Sequence, residues 1–209
     1  MGVVERKERE KELRSESIID AAERIFFSKG FEHATMNDVA EEAELSKGAL
    51  YLYFHSKNEL CMAILQRSLL ILKNKMTILH DDNILTGIEK FARLARLFIA
   101  FAKEYPNHYN SFLSYREHRG NCPATGKVIK GTNEENKKIN RIISDIIRMG
   151  KADKTINKDI DADKLSLALW GNFTGIMPSS ILHDRSSLDY NPEEVIKYHF
   201  ELLINAIKA

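Results

Sequence analysis

The sequence predicts an all-α fold, and three observations lead to that prediction. Apolar residues recur at intervals of three and four positions along most of the 209 residues, which places them on one face of a helix. Only 4 prolines and 10 glycines interrupt this pattern, and alternating runs of β-branched residues, which would predict strands, are scarce. The hydrophobic fraction of 44% is enough for the core of one large domain or two small ones.

Start and stop signals divide the chain into predicted helices, with no sheet between them. The predicted ranges are 6–29, 36–43, 47–54, 57–79, 84–104, 107–118, 124–149, 161–182 and 192–208. The first helix is expected to end at Lys29 because Gly30 follows, and glycine is the usual residue just beyond a helix. Glu10 and Arg14, four residues apart, support its exposed first turns.

The second, third and fourth helices have the arrangement of a helix-turn-helix followed by a long helix. Thr35 with Asp38, and Ser56 with Glu59, have the spacing of capping boxes that open the second and fourth helices. The two short helices cannot be stable alone in water, so both must pack on their neighbours. The linker between them, residues 44–46, has the length of the turn in a helix-turn-helix.

The remaining helices are separated by residues that favour turns. These breaks are residues 81–83, Tyr105-Pro106, residues 121–123, Gly150 and Asn191-Pro192. The last helix has the best specified start, because Asn191 can cap it, Pro192 suits its first position, and Glu193 and Glu194 favour its positive end.

The third helix has one face for a core and another for a partner. On a helical wheel, Leu50 and Phe54 lie on the core side together with the ring of Tyr53. The opposite side suits the phosphate-lined groove of DNA, because it combines amide donors, a lysine, a glycine that permits close approach and a tyrosine hydroxyl. We predict a DNA-contacting set of Thr35, Ser46, Lys47, Gly48, Tyr51, Tyr53, His55 and Lys57.

Net charge at first argues against a nucleic-acid partner. The whole chain has a formal charge of +1, which excludes a binder driven by bulk charge alone. Residues 1–60 hold nine Lys and Arg against thirteen Asp and Glu, a net of −4, and the rest of the chain has a net of +5. Residues 45–57, however, contain Lys47 and Lys57 and no acid. The sequence therefore predicts a small DNA-reading surface with a modest salt dependence.

Residues 18–60 resemble the DNA-binding domain of the TetR (tetracycline-repressor-like) family. The matching positions are Ile19, Ala21, Ala22, Phe26, Gly30, Phe31, Thr35, Val39, Ala40, Ala43, Ser46, Gly48, Leu50, Tyr51, Phe54, Ser56, Lys57 and Leu60. Two positions depart from the family pattern, which usually has Gly at the place of Glu44 and often His at the place of Tyr53. We expect Glu44 to strain the turn and to bring a negative charge close to DNA.

The resemblance implies a nine-helix architecture with two domains. Residues 1–57 would form the helix-turn-helix DNA-binding domain, and residues 58–209 the helical domain for ligand binding and dimerisation. In the family, the last two long helices form a four-helix bundle across a two-fold axis. The helices 161–182 and 192–208 carry more apolar surface than one face needs, which independently favours a homodimer, although internal packing alone remains an alternative.

Aromatic residues concentrate in the second half of the chain, where a few polar groups accompany them. Apolar walls with few polar groups are typical of ligand sites, although aromatic residues at helical spacing are more often core. The predicted pocket for a bulky apolar or amphipathic effector is lined by Phe98, Tyr109, Phe112, Tyr115, His118, Trp170, Phe173 and Met177.

Other chemistry receives little support. The sequence has none of the glycine-rich or serine motifs of common enzymes, and no catalytic residue or cofactor is predicted. Residues 153–164 resemble a calcium loop, but Lys158 stands in place of the turn glycine and Lys164 in place of the bidentate glutamate. His118 and Cys122 have the spacing of two metal ligands but no evident third ligand. No metal is therefore predicted. With only two cysteines, no apolar leader and no acylation signal, a cytoplasmic protein without membrane contact is expected.

We interpret the sequence as a ligand-responsive transcriptional repressor that leaves a pseudo-palindromic operator when a small effector binds. Two alternatives stay open. One is a helical adaptor whose first domain no longer binds DNA, as Glu44 and the net charge of −4 would favour. The other is an enzyme that uses Glu117 and His118 as an acid and base within the aromatic region.

Overall fold

The computed structural model describes residues 2–118, 127–182 and 192–209, except the side chains of residues 3, 113–118, 127, 175–182, 192, 193, 195 and 196. Within these residues it contains helices and no strand, with one isolated bridge between Ile156 and Lys208. The helices are α1 Val3–Lys29, α2 Met36–Glu42, α3 Lys47–Tyr51, α4 Lys57–His80, α5 Gly87–Glu104, α6 Pro106–His118, α7 Lys127–Ala152, α8 Ala162–Leu182 and α9 Pro192–Ile207. Over the described ranges, the all-α prediction and its nine helices are confirmed.

Two of the differences from the predicted ranges have local reasons. The third helix ends at Tyr51, because the amides of Tyr53 and Phe54 both turn back to the carbonyl oxygen of Leu50, each at 3.0 Å. The fifth begins at Gly87 rather than residue 84, because a capping box formed by the preceding threonine and Glu89 sets its first turn. Both differences arise from side-chain and turn hydrogen bonds that override helical periodicity.

The chain forms two compact units, which we call unit 1 and unit 2. Unit 1 comprises Met1–Arg67 and Ser114–Thr132, and unit 2 comprises Ser68–Leu113 and Asn133–Ala209. The first domain was predicted to end at residue 57, so unit 1 includes about ten further residues of α4 along with a second segment.

Unit 1 has a core formed by the later part of α1, the two short helices and the start of α4. Burial removes these side chains from water and fixes helices too short to be stable alone. The buried residues are Ile18, Ile19, Ala21, Ala22, Phe26, Ala34, Val39, Ala40, Ala43, Leu50, Phe54, Leu60, Cys61, Ala63 and Ile64.

The ends of the unit 1 helices follow the sequence signals. Gly30 ends α1 with a φ of 79°, a conformation that glycine adopts without steric cost, and its amide donates to Phe26. The Thr35 hydroxyl accepts from the Asp38 amide, while the Asp38 carboxylate accepts from the Thr35 amide. The predicted box at α4 is half formed: Ser56 accepts from the Glu59 amide, but the Glu59 carboxylate binds the amide of His55.

In unit 2, α5 packs on α9 and α8 packs on α9. The start of α5 meets the end of α7 at two glycines: a Cβ on Gly87 would lie 2.1 Å from the Cα of Gly150, so only glycine fits there. The segment 153–164, compared above with a calcium loop, supplies Asp153, which accepts from the Gly87 amide at 2.7 Å, and Asp161, which caps α8. No helix in the described ranges is both long and apolar enough to cross a bilayer.

Candidate nucleic-acid interface

The turn between α2 and α3 holds the second short helix at a fixed angle to the first. Val39 and Ala40 of α2 and Leu50 of α3 are buried in the unit 1 core. Glu44 adopts a φ of 53°, and the amide of Leu45 donates to the carbonyl oxygen of Ala40 at 2.8 Å. The left-handed backbone at Glu44 is the conformation that glycine serves best, which agrees with the strain expected for Glu44 in this turn.

The outward side of α3 presents the predicted group to solvent. Ser46 caps the helix by accepting from the Ala49 amide at 3.2 Å, and Lys47, Gly48 and Tyr51 are exposed, Tyr51 to 37%. No carboxylate of the described residues lies within ion-pair distance of Lys47. The cation and the ring are therefore available to an outside partner.

Gly48 has no structural role that would require a glycine. A Cβ built at this position would meet nothing within 4 Å beyond the local helix turn in the described part of the chain. Glycine in a helix costs about 0.5–1 kcal/mol relative to alanine. A glycine that the fold does not require is expected where the helix backbone comes close to a partner.

Thr35 is less available than the sequence indicated. Its hydroxyl and its amide both donate to the Asp38 carboxylate at 2.8 Å, and Lys29 donates to the same carboxylate at 2.7 Å. These three hydrogen bonds, from Lys29 first and Thr35 next, lower the pKa of Asp38 from 3.8 to about 2. A contact from Thr35 to a phosphate would have to exchange the hydroxyl donor away from Asp38.

Lys57 holds the chain together instead of facing outward. Its ammonium donates to the carbonyl oxygens of Phe31 at 2.7 Å, Ala34 at 3.1 Å and Glu32 at 3.2 Å, and lies 4.5 Å from the centre of the Phe31 ring. An ammonium has three N–H donors, so all of them are used within the protein. This geometry gives Lys57 a structural role in the loop between α1 and α2, and we do not include it among the proposed phosphate contacts.

Tyr53 and His55 follow α3 in the chain and lie differently. Tyr53 is half-buried against the unit 1 core and also lines a groove with residues of the first turns of α1. His55 is exposed, with its amide donating to the Glu59 carboxylate at 2.6 Å. The neighbouring Leu52 was not predicted, yet 76% of its surface is exposed. An apolar side chain at the end of α3 is suited to a thymine methyl group, and its place on the outward side of the wheel was the available signal.

The acids around this surface are partly neutralised. On α2, Glu42 pairs with Arg24 and Asp38 pairs with Lys29, both cations coming from α1. Glu41 and Glu44 are exposed. The negative charge counted in the first 60 residues is thus lower at the α2 and α3 surface than the sum indicates.

The described members of the predicted ligand pocket form a packed cluster in unit 2. The rings of Phe98 and Phe173 stack with centroids 4.4 Å apart, and the Tyr109 hydroxyl donates to the Phe173 carbonyl oxygen at 3.1 Å. Phe112 packs edge-on to Trp170 at 5.9 Å. The side chains of three other predicted members lie outside the described residues, namely Tyr115, His118 and Met177.

A polar group that the sequence did not indicate lies in the same unit. Ser68 Oγ is 3.0 Å from His108 Nδ1, and Ser111 donates to Ser68 at 3.0 Å. His108 is also 6.0 Å from the ring of Tyr105. Serine and histidine from α4 and α6 meet only in the folded chain, so no local motif announces them.

Apolar side chains are exposed on the two C-terminal helices of unit 2. They are Leu167 on α8, exposed to 63%, and Tyr198 and Leu202 on α9, exposed to 64% and 51%. A Cβ at Gly171 of α8 would meet nothing within 4 Å beyond its own turn among the described residues. Large apolar residues exposed in this way favour a partner surface.

Comparisons with known proteins match the first part of the chain to a family of regulatory proteins. Residues 18–64 match the model of a family described as bacterial regulatory proteins, tetR family. Over 59 residues the chain is 44% identical to the HTH-type transcriptional regulator TtgR of Pseudomonas putida, covering 28% of each chain. Over 82 residues it is 35% identical to the HTH-type transcriptional activator FasR of Mycolicibacterium smegmatis, covering 39% of this chain and 32% of the relative. The matched region spans about a third or less of these relatives.

Solved structures resemble the fold along nearly the whole chain. The regulator FadR of Bacillus subtilis, in complex with stearoyl-CoA, is 19% identical with a TM-score of 0.69, over 91% of this chain and 98% of that one. A regulator from Saccharomonospora viridis, in complex with choline, is 19% identical with a TM-score of 0.72, over 93% and 97%. At these identities the likeness establishes the fold.

Proposed function

We propose, on the premise that residues 18–64 belong to the tetR family of bacterial regulatory proteins, that this chain is a sequence-specific transcriptional regulator that responds to a small molecule. The observation that carries the proposal is the outward side of α3. Lys47, Gly48 and Tyr51 are exposed there while Leu50 on the opposite side is buried. A short helix that is anchored by its core side can present its outward side to the major groove of duplex DNA.

The roles of the α3 residues follow from their chemistry. Lys47 supplies a charge for a phosphate, and Tyr51 supplies a hydroxyl on a ring with few rotatable bonds. Gly48 lets the helix backbone come close to the sugar-phosphate backbone. His55 and Tyr53, at the end of the turn, extend the contact toward the flanking phosphates, and Leu52 adds an apolar contact to base edges.

The protein is proposed to act as a homodimer through α8 and α9. The exposed Leu167, Tyr198 and Leu202 supply apolar surface for such an interface, and Gly171 leaves room for a close helix partner. Two copies related by a two-fold axis would present two α3 helices to half-sites one DNA turn or more apart, about 34 Å, and so select a pseudo-palindromic operator.

A small effector is proposed to bind in unit 2. The aromatic cluster supplies apolar walls, and Ser68, His108 and Ser111 supply the few polar groups that fix a ligand's orientation. Helix α4 begins directly after the α3 region and continues from Arg67 in unit 1 to Ser68 in unit 2. A ligand that prefers one position of α4 would change the population of DNA-binding dimers, in the expected case by releasing a repressor.

The test starts from DNA that the protein itself selects. Wild-type protein is used to recover duplexes from a random pool, and the region upstream of its own gene is tested beside them by gel shift. Tyr51→Ala and Lys47→Ala should each abolish or strongly weaken binding to the recovered duplex, with dimer mass unchanged. Failure to recover any sequence would support the adaptor alternative, and full binding by both variants would contradict the role of α3.

The effector is tested with the same complex. Acyl-CoA thioesters and choline, which structural relatives bind, serve as the first probes in a gel-shift titration. Release of the duplex by one probe, lost on Phe173→Ala, supports the proposed unit 2 site. The function requires access to chromosomal DNA and therefore a cytoplasmic location.

A further inference from the structure

The first half of α1 extends well beyond the core of unit 1. The helix begins at Val3, but its buried residues begin at Ile18. Residues 3–17 form about 22 Å of helix, and their described side chains are exposed or half-buried, including Leu13 at 63%. A helical segment with so little packing gains little stability from the chain itself.

Most acidic residues of α1 lie on the side of the helix that faces α4. They recur at helical spacing at Glu5, Glu8, Glu12, Glu16, Asp20 and Glu23. The last three surround Arg67 of α4, with Asp20 at 2.6 Å and Glu23 at 3.0 Å from its guanidinium. Six of the seven acids of α1 therefore lie on one side of the helix.

The opposite side of α1 carries a basic stripe, which we define as Lys7, Lys11 and Arg14. These residues are four and three positions apart, continue the line of Ile18 toward the amino terminus, and line one groove together with Tyr53. The groove also includes Glu10, but Arg6 pairs with that carboxylate at 2.9 Å. The stripe is thus a surface of net positive charge beside the residues that follow α3.

We infer that the basic stripe binds the phosphates of the DNA strand that flanks the bases read by α3. This inference rests on the proposed function and adds a second contact surface to it. Lys7 to Arg14 spans about 10 Å of helix, a rise over which one DNA strand carries about three phosphates. Three cations on one side of a helix that lies along the strand can therefore each face a phosphate.

Two observations favour DNA over another partner. Tyr53, which lines the groove, lies only two residues beyond Tyr51 of the α3 surface, so the groove of the stripe lies next to the end of α3. The stripe and the acid-free residues 45–57 also provide exposed cations in unit 1, namely Lys7, Lys11, Arg14 and Lys47, although the first 60 residues have a net charge of −4. This arrangement reconciles an acidic domain with a polyanionic partner.

The test measures how the affinity for the selected duplex depends on salt. Each phosphate contact contributes about 0.9 to the slope of log K against log salt concentration. Lys11→Ala should reduce the slope by about 0.9 per half-site and the triple variant Lys7→Ala, Lys11→Ala, Arg14→Ala by about 2.7. Hydroxyl-radical footprinting should show the corresponding loss of protected backbone beside each half-site. Alanine is the best helix former, so circular dichroism should show α1 intact.

Arg9→Ala is the matched control, because Arg9 is an exposed cation of the same segment on the other side of the helix. It changes the net charge as much as Lys11→Ala but should leave the slope and the footprint unchanged. Equal effects of the two variants, or no effect of the triple variant, would overturn the stripe while leaving the proposed function standing. Absence of specific binding by the wild-type protein would instead overturn the proposed function.

Discussion

The ammonium of Lys57 lies 2.7 Å from the carbonyl oxygen of Phe31 and 4.5 Å from the centre of the Phe31 ring. Two further carbonyl oxygens, of Glu32 and Ala34, accept from the same ammonium. One side chain at the start of α4 thereby fixes the loop that leads from α1 into α2. Together with the buried core, this contact helps to position α2.

Lys57→Met and Lys47→Met should separate stability from DNA binding. Hydrogen bonds from a charged donor contribute roughly 1.5–3 kcal/mol, so Lys57→Met should lower the free energy of unfolding by about 1–3 kcal/mol in urea denaturation. Lys47→Met changes an exposed residue, so it should leave the free energy of unfolding unchanged to about 0.5 kcal/mol. It should reduce the affinity for the duplex. Equal stability of the two variants would contradict the structural role of Lys57.

This pair of lysines shows where sequence reasoning succeeds and where it stops. Helix starts, the short turn and the two sides of α3 follow from periodicity and capping, which are local properties. The partners of Lys57 lie more than twenty residues away along the chain, and a lysine beside a predicted DNA surface has the same local pattern whether it points outward or inward. Packing in three dimensions decides between these roles.

The same limit applies to the aromatic residues and to the first half of α1. The sequence predicted that Phe98 and Phe173 line a pocket, but the stacking of their rings at 4.4 Å depends on how α5 and α8 meet. In the net charge of the sequence, the acids of α1 argue against DNA binding. Only the position of Arg67 shows that Glu16 and its neighbours face α4 and leave the basic stripe on the other side.

Replacing Glu44 should improve both stability and DNA binding. Its φ of 53° is strained for any residue with a Cβ, so Glu44→Gly should raise the free energy of unfolding by about 0.5–1 kcal/mol after the entropic cost of glycine. Glu44→Gln keeps the strain and removes the charge. Gel shifts should show tighter binding by both variants, and urea denaturation a gain for the glycine variant alone; a loss of affinity in both would contradict the placement of Glu44 near DNA.

Asp38 should make unit 1 sensitive to acid. Because the hydrogen bonds from Lys29 and Thr35 lower its folded pKa to about 2 from 3.8, its contribution to stability is complete above pH 3.8 and is lost as the pH falls through 2. Wild type should therefore melt above Asp38→Asn at neutral pH, and the difference in Tm should close between about pH 4 and pH 2.

Glu41→Gln serves as the control for Asp38, because it removes one exposed charge from the same short helix. Thermal unfolding followed by circular dichroism at a series of pH values should show no such closing gap for the control. A difference between wild type and Asp38→Asn that stays constant down to pH 2 would exclude the carboxylate as its source.

Leu202→Glu should convert the proposed dimer to monomers. Leu202 is exposed to 51% on α9, so a charge there should leave unit 2 folded but would be buried without a partner in a two-fold interface. Light scattering should give half the wild-type mass, and binding to the two-half-site duplex should weaken by at least tenfold. Glu201→Gln, at the exposed neighbouring position, should remain dimeric; a dimeric Leu202→Glu variant would contradict an interface at α9.

The most direct test of the central claim, that α3 approaches DNA through its backbone, is to measure stability and binding of Gly48→Ala together. Nothing in the described chain lies within 4 Å of the added Cβ beyond the local turn, and alanine favours the helix, so the free energy of unfolding should rise by about 0.5–1 kcal/mol. Affinity for the selected duplex should fall by at least tenfold in the same preparation. A variant that is more stable and binds the duplex as well as wild type would contradict the account.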